Sequence, residues 1–368
     1  MNPNTRALQD LGQSLWIDNI TRTMLADGTL RRYIADLSIT GLTSNPTIFE
    51  QAMAKGDAYD AQIAELSRKG QRGEALFFAL AVQDLREAAD LFKPVHDATH
   101  GVDGWVSLEV SPLIAHDARQ SIAAAAALHA QAARPNVFIK IPGTSEGVVA
   151  IEESIFAGVP VNVTLLFSRQ HYLAVAEAYL RGIERRIAAG LDPVVESVAS
   201  LFVSRWDVAV KDSVPASHHD RLGIAISKRV YKAYRDLLAS PRWRKLQAAG
   251  AHPQRLLLAS TGAKDPKARD TLYVEALAAP DTVDTMPEKT LHALADHGRP
   301  ASVMPADGGD AEAVIAEFRR LGVDDDALAA RLQEEGAASF AKSWRSLLAG
   351  LQAKIETSGE KRTQGARP

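Results

Sequence analysis

The sequence predicts an α/β protein built as a (β/α)8 TIM barrel, with additional helices and a closing C-terminal helix. Eight short apolar runs alternate with longer helical patterns, an arrangement typical of βα units around a parallel sheet. Several runs end in a single polar residue, and barrels of this kind carry their functional side chains at the C-terminal ends of the strands. No Gly-x-Gly-x-x-Gly motif follows the first strand, which disfavours the alternative of a doubly wound open sheet.

The elements follow one another along nearly the whole chain. The predicted strands are 14–18, 38–43, 105–110, 137–142, 160–167, 198–203, 255–261 and 282–286, and the predicted helices are 28–35, 74–92, 116–133, 146–157, 169–189, 219–239, 266–278 and 328–355. The stretch 47–69 adds helix after the second strand, and 205–251 forms a long connection after the sixth. Because no linker rich in Pro, Gly or Ser interrupts the pattern, we expect one catalytic domain over 1–356, followed by a polar, disordered tail over 357–368.

Composition excludes several classes of function. The net charge of −3 over 368 residues is too small to indicate a nucleic-acid partner, so any phosphate site must be local. The absence of cysteine excludes disulfides and thiolate chemistry, and is typical of a reducing compartment. With no signal-peptide pattern and no long apolar run, we expect a cytoplasmic protein without a membrane partner. The sequence is compatible with either a monomer or a homodimer.

Lys140 is the most informative residue, because it lies in the apolar run Val-Phe-Ile-Lys-Ile-Pro. An unpaired buried charge is costly, and a buried lysine responds by losing its proton. A neutral amine can form a Schiff base with a ketone or aldehyde. On this segment alone, a lysine that reaches solvent or pairs with a carboxylate is the commoner arrangement.

Polar residues near other strand ends favour the reactive interpretation. Side chains two apart share one face of a strand, so Asp18, Glu109 and Lys140 are expected to converge inside a barrel. Asp18 is a candidate base for removing a hydroxyl proton, and Glu109 with Thr164 is a candidate acid–base pair acting through water. The remaining candidates near strand ends are Asn45, Asn162, Ser200, Arg205, Ser260 and Lys264.

An anion site is predicted after the last strands. Ser200 and Arg205 lie at the end of the sixth strand, and Ser260 opens the turn Ser-Thr-Gly-Ala-Lys-Asp-Pro, which contains Lys264. Loops after late barrel strands and the N-termini of helices favour phosphate groups.

Seven segments in order resemble the transaldolase family: LWIDNI (15–20), ITGLTSNPTIF (39–49), SLEVSP (107–112), VFIKIPGT (137–144), VNVTLLFS (161–168), SLFVSR (200–205) and LLLASTGAK (256–264). The segments TMPEKTL (285–291) and EEGAASFAKSWRSLLAGL (334–351) are similar to the longer bacterial members.

The resemblance implies a barrel enzyme without metal or organic cofactor that acts on sugar phosphates. Such an enzyme moves a dihydroxyacetone unit from sedoheptulose 7-phosphate to glyceraldehyde 3-phosphate. It implies that Lys140 forms the Schiff base, that Asp18 handles the hydroxyl proton, and that Glu109 and Thr164 form the water-linked pair. It also implies that Asn45 holds the dihydroxyacetone moiety and that Ser200 and Arg205 bind phosphate.

One departure concerns the second phosphate-binding arginine, which shorter members carry just after the Ala-Ser of the seventh strand. No arginine follows Ser260 here, and Lys264 is the candidate substitute. A lysine cannot form the bidentate hydrogen bonds that arginine makes with phosphate.

Three alternatives stay open at the level of sequence. A class I aldolase would release free dihydroxyacetone, and a catalytically silent barrel would only bind sugar phosphates. A metal site is less favoured, because His218 and His219 beside Asp220 lack any known ligand spacing.

Overall fold

The eight predicted strands form a closed parallel barrel, which confirms the predicted fold class. The computed structural model describes the backbone of residues 1–365 and the side chains of residues 1–357. The strands follow chain order around the barrel, and β8 pairs with β1 to close it. Their bounds are β1 Gln13–Asp18, β2 Ile39–Thr43, β3 Trp105–Glu109, β4 Val137–Pro142, β5 Val161–Leu166, β6 Ser197–Phe202, β7 Gln254–Ala259 and β8 Thr282–Met286.

Helices surround the barrel and extend two of its connections. Their bounds are α1 Pro3–Asp10, α2 Arg22–Ala26, α3 Thr29–Asp36, α4 Pro46–Ala54, α5 Asp60–Arg68, α6 Gly73–Ala98, α7 Ala118–Ala132, α8 Ser145–Phe156, α9 Arg169–Ala188, α10 Ser204–Val210, α11 Leu222–Leu238, α12 Pro241–Ala248, α13 Leu272–Ala276, α14 Glu288–His297, α15 Ala311–Arg320 and α16 Asp325–Gly365. Helices α4 and α5 form the predicted insertion after β2, and α10 to α12 lie in the long connection after β6.

Some predicted helix bounds were wrong. The helix predicted over 266–278 shrinks to α13, because the Asp265 carboxylate accepts a hydrogen bond from the Lys267 amide at 2.9 Å and stabilises a turn instead. Helix α6 continues past Pro94 to Ala98, since its long buried face outweighs the local cost of proline. Six helices were not predicted: α1, α2, α10, α12, α14 and α15. The disordered tail was predicted over 357–368. Because the side chains of 358–368 lie outside the described residues, its disorder stays a prediction.

Aromatic side chains fill the barrel interior beneath the C-terminal ends of the strands. The rings of Trp105 and Phe138 stack with centroids 4.1 Å apart, and Trp16 lies 6.2 Å from Phe138. A Cβ atom on Gly41 would lie 2.5 Å from the Trp16 ring, so only glycine leaves room for that ring. Because Trp16 and Phe138 precede Asp18 and Lys140 by two positions, this packed layer supports those two polar residues from below.

The last helix, α16, packs beside the C-terminal mouth of the barrel. The Trp344 indole nitrogen donates to the Glu74 carboxylate at 2.7 Å, and the hydroxyls of Ser343 and Thr47 lie 2.9 Å apart. Near its start, Asp325 accepts a hydrogen bond from Arg229 at 2.7 Å. These contacts fix the helix over one side of the mouth. Among the described residues, no helix combines the length and apolar character needed to span a lipid bilayer.

Candidate active site

Lys140 lies at the centre of a buried polar site at the C-terminal end of β4. Its side chain is only 5% exposed, and Nζ donates to the Ser44 carbonyl at 2.9 Å. Glu109 is its register partner on β3, and Glu109 Oε2 lies 3.3 Å from Nζ as an ion pair. The structure therefore brings together the amine and the carboxylate that the sequence predicted to converge.

A cavity of about 230 Å³ opens above this pair. Eight of the ten predicted site residues line it: Asp18, Asn45, Lys140, Thr164, Ser200, Arg205, Ser260 and Lys264. The other two, Glu109 and Asn162, lie directly behind the lining. The remaining lining residues are Thr43, Thr47, Ile48, Gln51, Phe202, Ala259, Thr285, Pro287 and Phe340.

Asp18 ends β1 and lines the same cavity. Thr43 Oγ1 donates to Asp18 Oδ1 at 2.7 Å, and Thr285 Oγ1 lies 2.6 Å from the same Thr43 hydroxyl. Part of Asp18 reaches the cavity, yet the surrounding protein desolvates the carboxyl and raises its pKa, while the Lys140 charge and the Thr43 hydrogen bond oppose that rise. Asp18 is therefore placed to accept a proton.

Burial likewise raises the pKa of Glu109, which is 6% exposed, and the neighbouring Lys140 charge opposes the rise. Among the described residues, Glu109 Oε2 and Thr164 Oγ1 are buried without a hydrogen-bond partner of suitable geometry. Buried oxygen atoms without a hydrogen-bond partner are unusual, because such groups cost free energy unless something binds to them, and here one of the two is ion-paired with Lys140. This corner of the cavity can therefore hold and activate a small polar molecule such as water.

A buried network of hydrogen bonds supports the floor of the cavity. Asn162 Nδ2 donates to Ser107 Oγ at 3.0 Å, and Ser200 Oγ donates to Asn162 Oδ1 at 2.7 Å. Asn162 has no exposed surface, so in this arrangement it orients Ser200 from behind the cavity wall. Its direct contact with a substrate stays a prediction.

Asn45 combines a structural role with a place in the cavity. Its Oδ1 caps helix α4 by accepting from the Ile48 amide at 3.1 Å. The capping bond fixes the side chain, and among the described residues its Nδ2 has no hydrogen-bond acceptor. The amide nitrogen is therefore available to a bound molecule.

Cationic side chains lie at the other end of the cavity. The Arg205 guanidinium carbon lies 5.1 Å from the centre of the Phe202 ring and 5.7 Å from that of Phe340. Burial lowers the pKa of Arg205, but arginine stays charged in proteins. The exposed Lys264 also lines this end. Two cations beside a polar cavity form a site suited to an anion such as phosphate.

The backbone of Ser260 contributes to the same end. This residue has a left-handed backbone with φ of 58°, and its hydroxyl lies 2.9 Å from that of Ser204. Such a conformation is uncommon in residues other than glycine and often occurs at binding sites.

Comparison with known proteins agrees with this geometry. A family model described as transaldolase/fructose-6-phosphate aldolase matches residues 15–351. The chain belongs to this family. It is 44% identical over 355 residues to a transaldolase of Thiobacillus denitrificans, covering 94% of this chain and 99% of that one. It is 42% identical to transaldolase 1 of Streptomyces avermitilis (97% of each chain) and 43% identical to a transaldolase of Frankia alni (96% and 97%).

Within the family architecture, sequence reasoning missed some lining residues. Thr285 ends β8, so the strand-end rule that identified Asp18 could have found it. Thr43 ends β2, so the same rule could have found it. Phe340 comes from α16, far along the chain, and no local pattern indicated that it would reach Arg205.

The histidine pair considered for metal binding lies elsewhere. His218 is 3.7 Å from Glu317, and His219 is 4.0 Å from Asp265. In the part of the chain that the structure describes, no group of three or more His, Cys, Asp or Glu side chains is placed to hold a metal ion.

Proposed function

We propose that this protein is a transaldolase that moves a dihydroxyacetone unit from sedoheptulose 7-phosphate to glyceraldehyde 3-phosphate. The products are erythrose 4-phosphate and fructose 6-phosphate. The observation that carries this proposal is the position of Lys140, whose buried amine lies 3.3 Å from Glu109 and lines the same cavity as Asp18. One amine with two separately placed carboxylates can form an imine and then break the neighbouring carbon–carbon bond.

The first half of the reaction uses both carboxylates. Transfer of a proton from Lys140 to Glu109 leaves a neutral amine, which attacks the ketose carbonyl, and loss of water gives a protonated imine. Glu109, acting through the water position beside Thr164, moves the protons of this step. Asp18 then removes the C4 hydroxyl proton, the C3–C4 bond breaks, and its electrons neutralise the imine as an enamine. The aldose leaves, and the three-carbon unit stays bonded to Lys140.

The second half reverses these steps with a new aldehyde. The enamine carbon attacks the aldehyde of glyceraldehyde 3-phosphate, and Asp18 returns its proton to the oxygen that becomes the new hydroxyl. Water directed by Glu109 and Thr164 then adds to the imine, and hydrolysis frees fructose 6-phosphate. The enzyme returns to its starting state with all protons restored.

The remaining residues of the cavity bind and orient the sugar. Asn45 offers its amide nitrogen to the hydroxyls of the dihydroxyacetone unit. Arg205, Ser260 and Lys264 form the anion site at the far end, where the phosphate of either aldose can bind. Ser200, held by Asn162, contributes a hydroxyl between these two ends.

Borohydride trapping tests the central step. In the presence of fructose 6-phosphate, reduction should leave a stable three-carbon adduct on the peptide that contains Lys140, detected by mass spectrometry. Lys140→Met should lose both the adduct and the transferase activity, while the exposed Lys245→Met should retain both. An adduct on another lysine, or transfer that survives Lys140→Met, would contradict the mechanism. Binding of sugar phosphates with no adduct and no transfer in the parent protein would instead favour a barrel that only binds them.

The family description also includes an aldolase activity, so release must be separated from transfer. Incubation with fructose 6-phosphate alone should release little free dihydroxyacetone. Adding erythrose 4-phosphate should produce sedoheptulose 7-phosphate rapidly. Rapid release of dihydroxyacetone without any acceptor would instead support a class I aldolase.

A further inference from the structure

The backbone beside Thr164 is held in an unusual conformation. Leu165, the next residue, has φ of 61° and is only 1% exposed. The pairing of β5 with β6 shifts register between Val163 and Leu166, so the strand bulges at this position. A left-handed conformation is unfavourable for a residue other than glycine. The surrounding structure must therefore stabilise it.

Gln333 of α16 supplies that stabilisation. Its Nε2 donates one hydrogen bond to the Leu165 carbonyl at 2.9 Å and a second to the Gly143 carbonyl at 3.0 Å. The Gly143 amide in turn donates to the Thr164 carbonyl at 2.7 Å. One side chain thus joins the end of β5, which carries Thr164, to the end of β4, which carries Lys140.

The packing of α16 explains how Gln333 reaches both carbonyls. Gly336 lies almost one helical turn later, and a Cβ atom built there would lie 2.9 Å from Leu165 Cδ2. The absence of a side chain at this position lets the helix approach the bulge closely.

No hydrogen bond within the described residues fixes the Thr164 hydroxyl, because Oγ1 has no partner there. Its position depends on the backbone on either side, and the Leu165 bulge lies on the C-terminal side. We propose that Gln333 is a positioning residue, which holds Thr164 in the orientation that directs water to and from the Lys140 imine. This inference rests on the proposed function.

Two substitutions remove the hydrogen bonds in different ways. Gln333→Met keeps the length of the side chain without a donor, and Gln333→Glu keeps its shape but places an acceptor against two carbonyls. Each should lower kcat by about tenfold, since small misplacements of reacting groups are costly. KM for fructose 6-phosphate should stay within about twofold, because the anion site is untouched.

A double-mutant cycle separates positioning from general stability. If Gln333 acts through Thr164, then Gln333→Met should lower kcat in the parent protein but have little effect in a Thr164→Ala background. The control is Gln352→Met, on the same helix, because Gln352 is exposed and, within the described part of the chain, its side chain bonds with Glu356. This control should keep the parent kcat.

Three outcomes would overturn the inference. The first is a parent-like kcat for both Gln333 variants. The second is an equal loss of kcat with and without the Thr164 hydroxyl, which would indicate a general structural role. The third is a lowered Tm without a change in kcat. Borohydride trapping on Lys140 is measured in the same samples, so failure of the proposed function would be recognised separately by the absence of an adduct in the parent protein.

Discussion

The hydroxyl of Thr43 donates a 2.7 Å hydrogen bond to the carboxylate of Asp18, and thereby joins β2 to the C-terminal end of β1. The same hydroxyl lies 2.6 Å from that of Thr285, so a chain of two threonines ends on one carboxylate oxygen. A hydrogen bond to the charged form of a carboxyl lowers its pKa. Thr43 therefore opposes the upward shift that burial imposes on the pKa of Asp18.

The first prediction is that Thr43→Val moves the acidic limb of the pH profile of kcat/KM to higher pH. The substitution removes one cause that lowers the pKa of Asp18, so this base stays protonated to a higher pH. Activity near neutral pH should fall several-fold, and pH–rate profiles measure both effects.

Thr40→Val is the matched control, because Thr40 lies on the same strand and bonds with the Leu15 carbonyl, away from Asp18. Its pH profile should match that of the parent. An unmoved acid limb in Thr43→Val would contradict the role assigned to the threonine pair.

The second prediction concerns the anion site. Arg205→Met should raise KM for fructose 6-phosphate by roughly 10- to 100-fold, the scale of a lost charged hydrogen bond. The substituted side chain still fills the space between Phe202 and Phe340, so stability should change little. Arg205→Lys should give an intermediate KM, since it keeps the charge but not the paired donors.

Adduct formation with unphosphorylated dihydroxyacetone provides the internal control. It should be nearly unchanged in both Arg205 variants, because that ligand carries no phosphate. A parallel loss of dihydroxyacetone trapping would mean that Arg205 supports the reacting end of the cavity instead.

The convergence of the polar residues at the strand ends could be predicted, because it follows from local sequence patterns. Strand alternation placed Asp18, Glu109 and Lys140 on inward faces, and parallel strands in a barrel bring such ends together. The contribution of α16 could not be predicted in this way. Phe340 and Gln333 reach the site through tertiary packing, and a helical pattern does not reveal which loop its face will cover.

Unusual backbone conformations could not be predicted from the sequence either. The left-handed conformations of Leu165 and Ser260 occur at residues other than glycine, where the surrounding structure overrides the local backbone preference. The helix predicted over 266–278 was wrong for a related reason, since the side chain of Asp265 stabilises a turn there.

The third prediction tests how closely α16 packs on the site. A Cβ atom on Gly336 would lie 2.9 Å from Leu165 Cδ2 and 3.1 Å from Arg205 Nη1. Gly336→Ala should therefore displace the guanidinium and raise KM for phosphorylated substrates several-fold. The better helix propensity of alanine should be offset by overpacking, so the free energy of unfolding should not increase.

Gly350→Ala is the matched control on the same helix, because among the described residues no atom outside the local helix backbone lies within 4 Å of the added Cβ. It should raise the free energy of unfolding by roughly 0.5 to 1 kcal/mol and leave KM unchanged. Equal effects of the two substitutions on KM and stability would contradict the close contact at Gly336.

The last prediction concerns a buried carboxyl on β8. Thr261 Oγ1 donates to Asp284 Oδ1 at 2.8 Å, whereas Oδ2 is buried without a partner among the described residues. Burial raises the pKa of Asp284 to about 7, far above the value of about 3.9 for an unfolded chain. Between these two pH values the folded protein binds more protons than the unfolded one, so the free energy of unfolding falls as pH rises.

Asp284→Asn should remove this dependence, because the amide resembles the protonated acid and never ionises. Relative to the parent, the variant should be of similar stability at pH 5 and more stable at pH 8, by roughly 2 to 4 kcal/mol from the size of the pKa shift. Denaturant unfolding at both pH values measures the difference, with the exposed Asp212→Asn as the control. A stability difference that does not grow with pH would show that Asp284 is already ionised in the folded protein at low pH, and that an unseen partner satisfies its second oxygen.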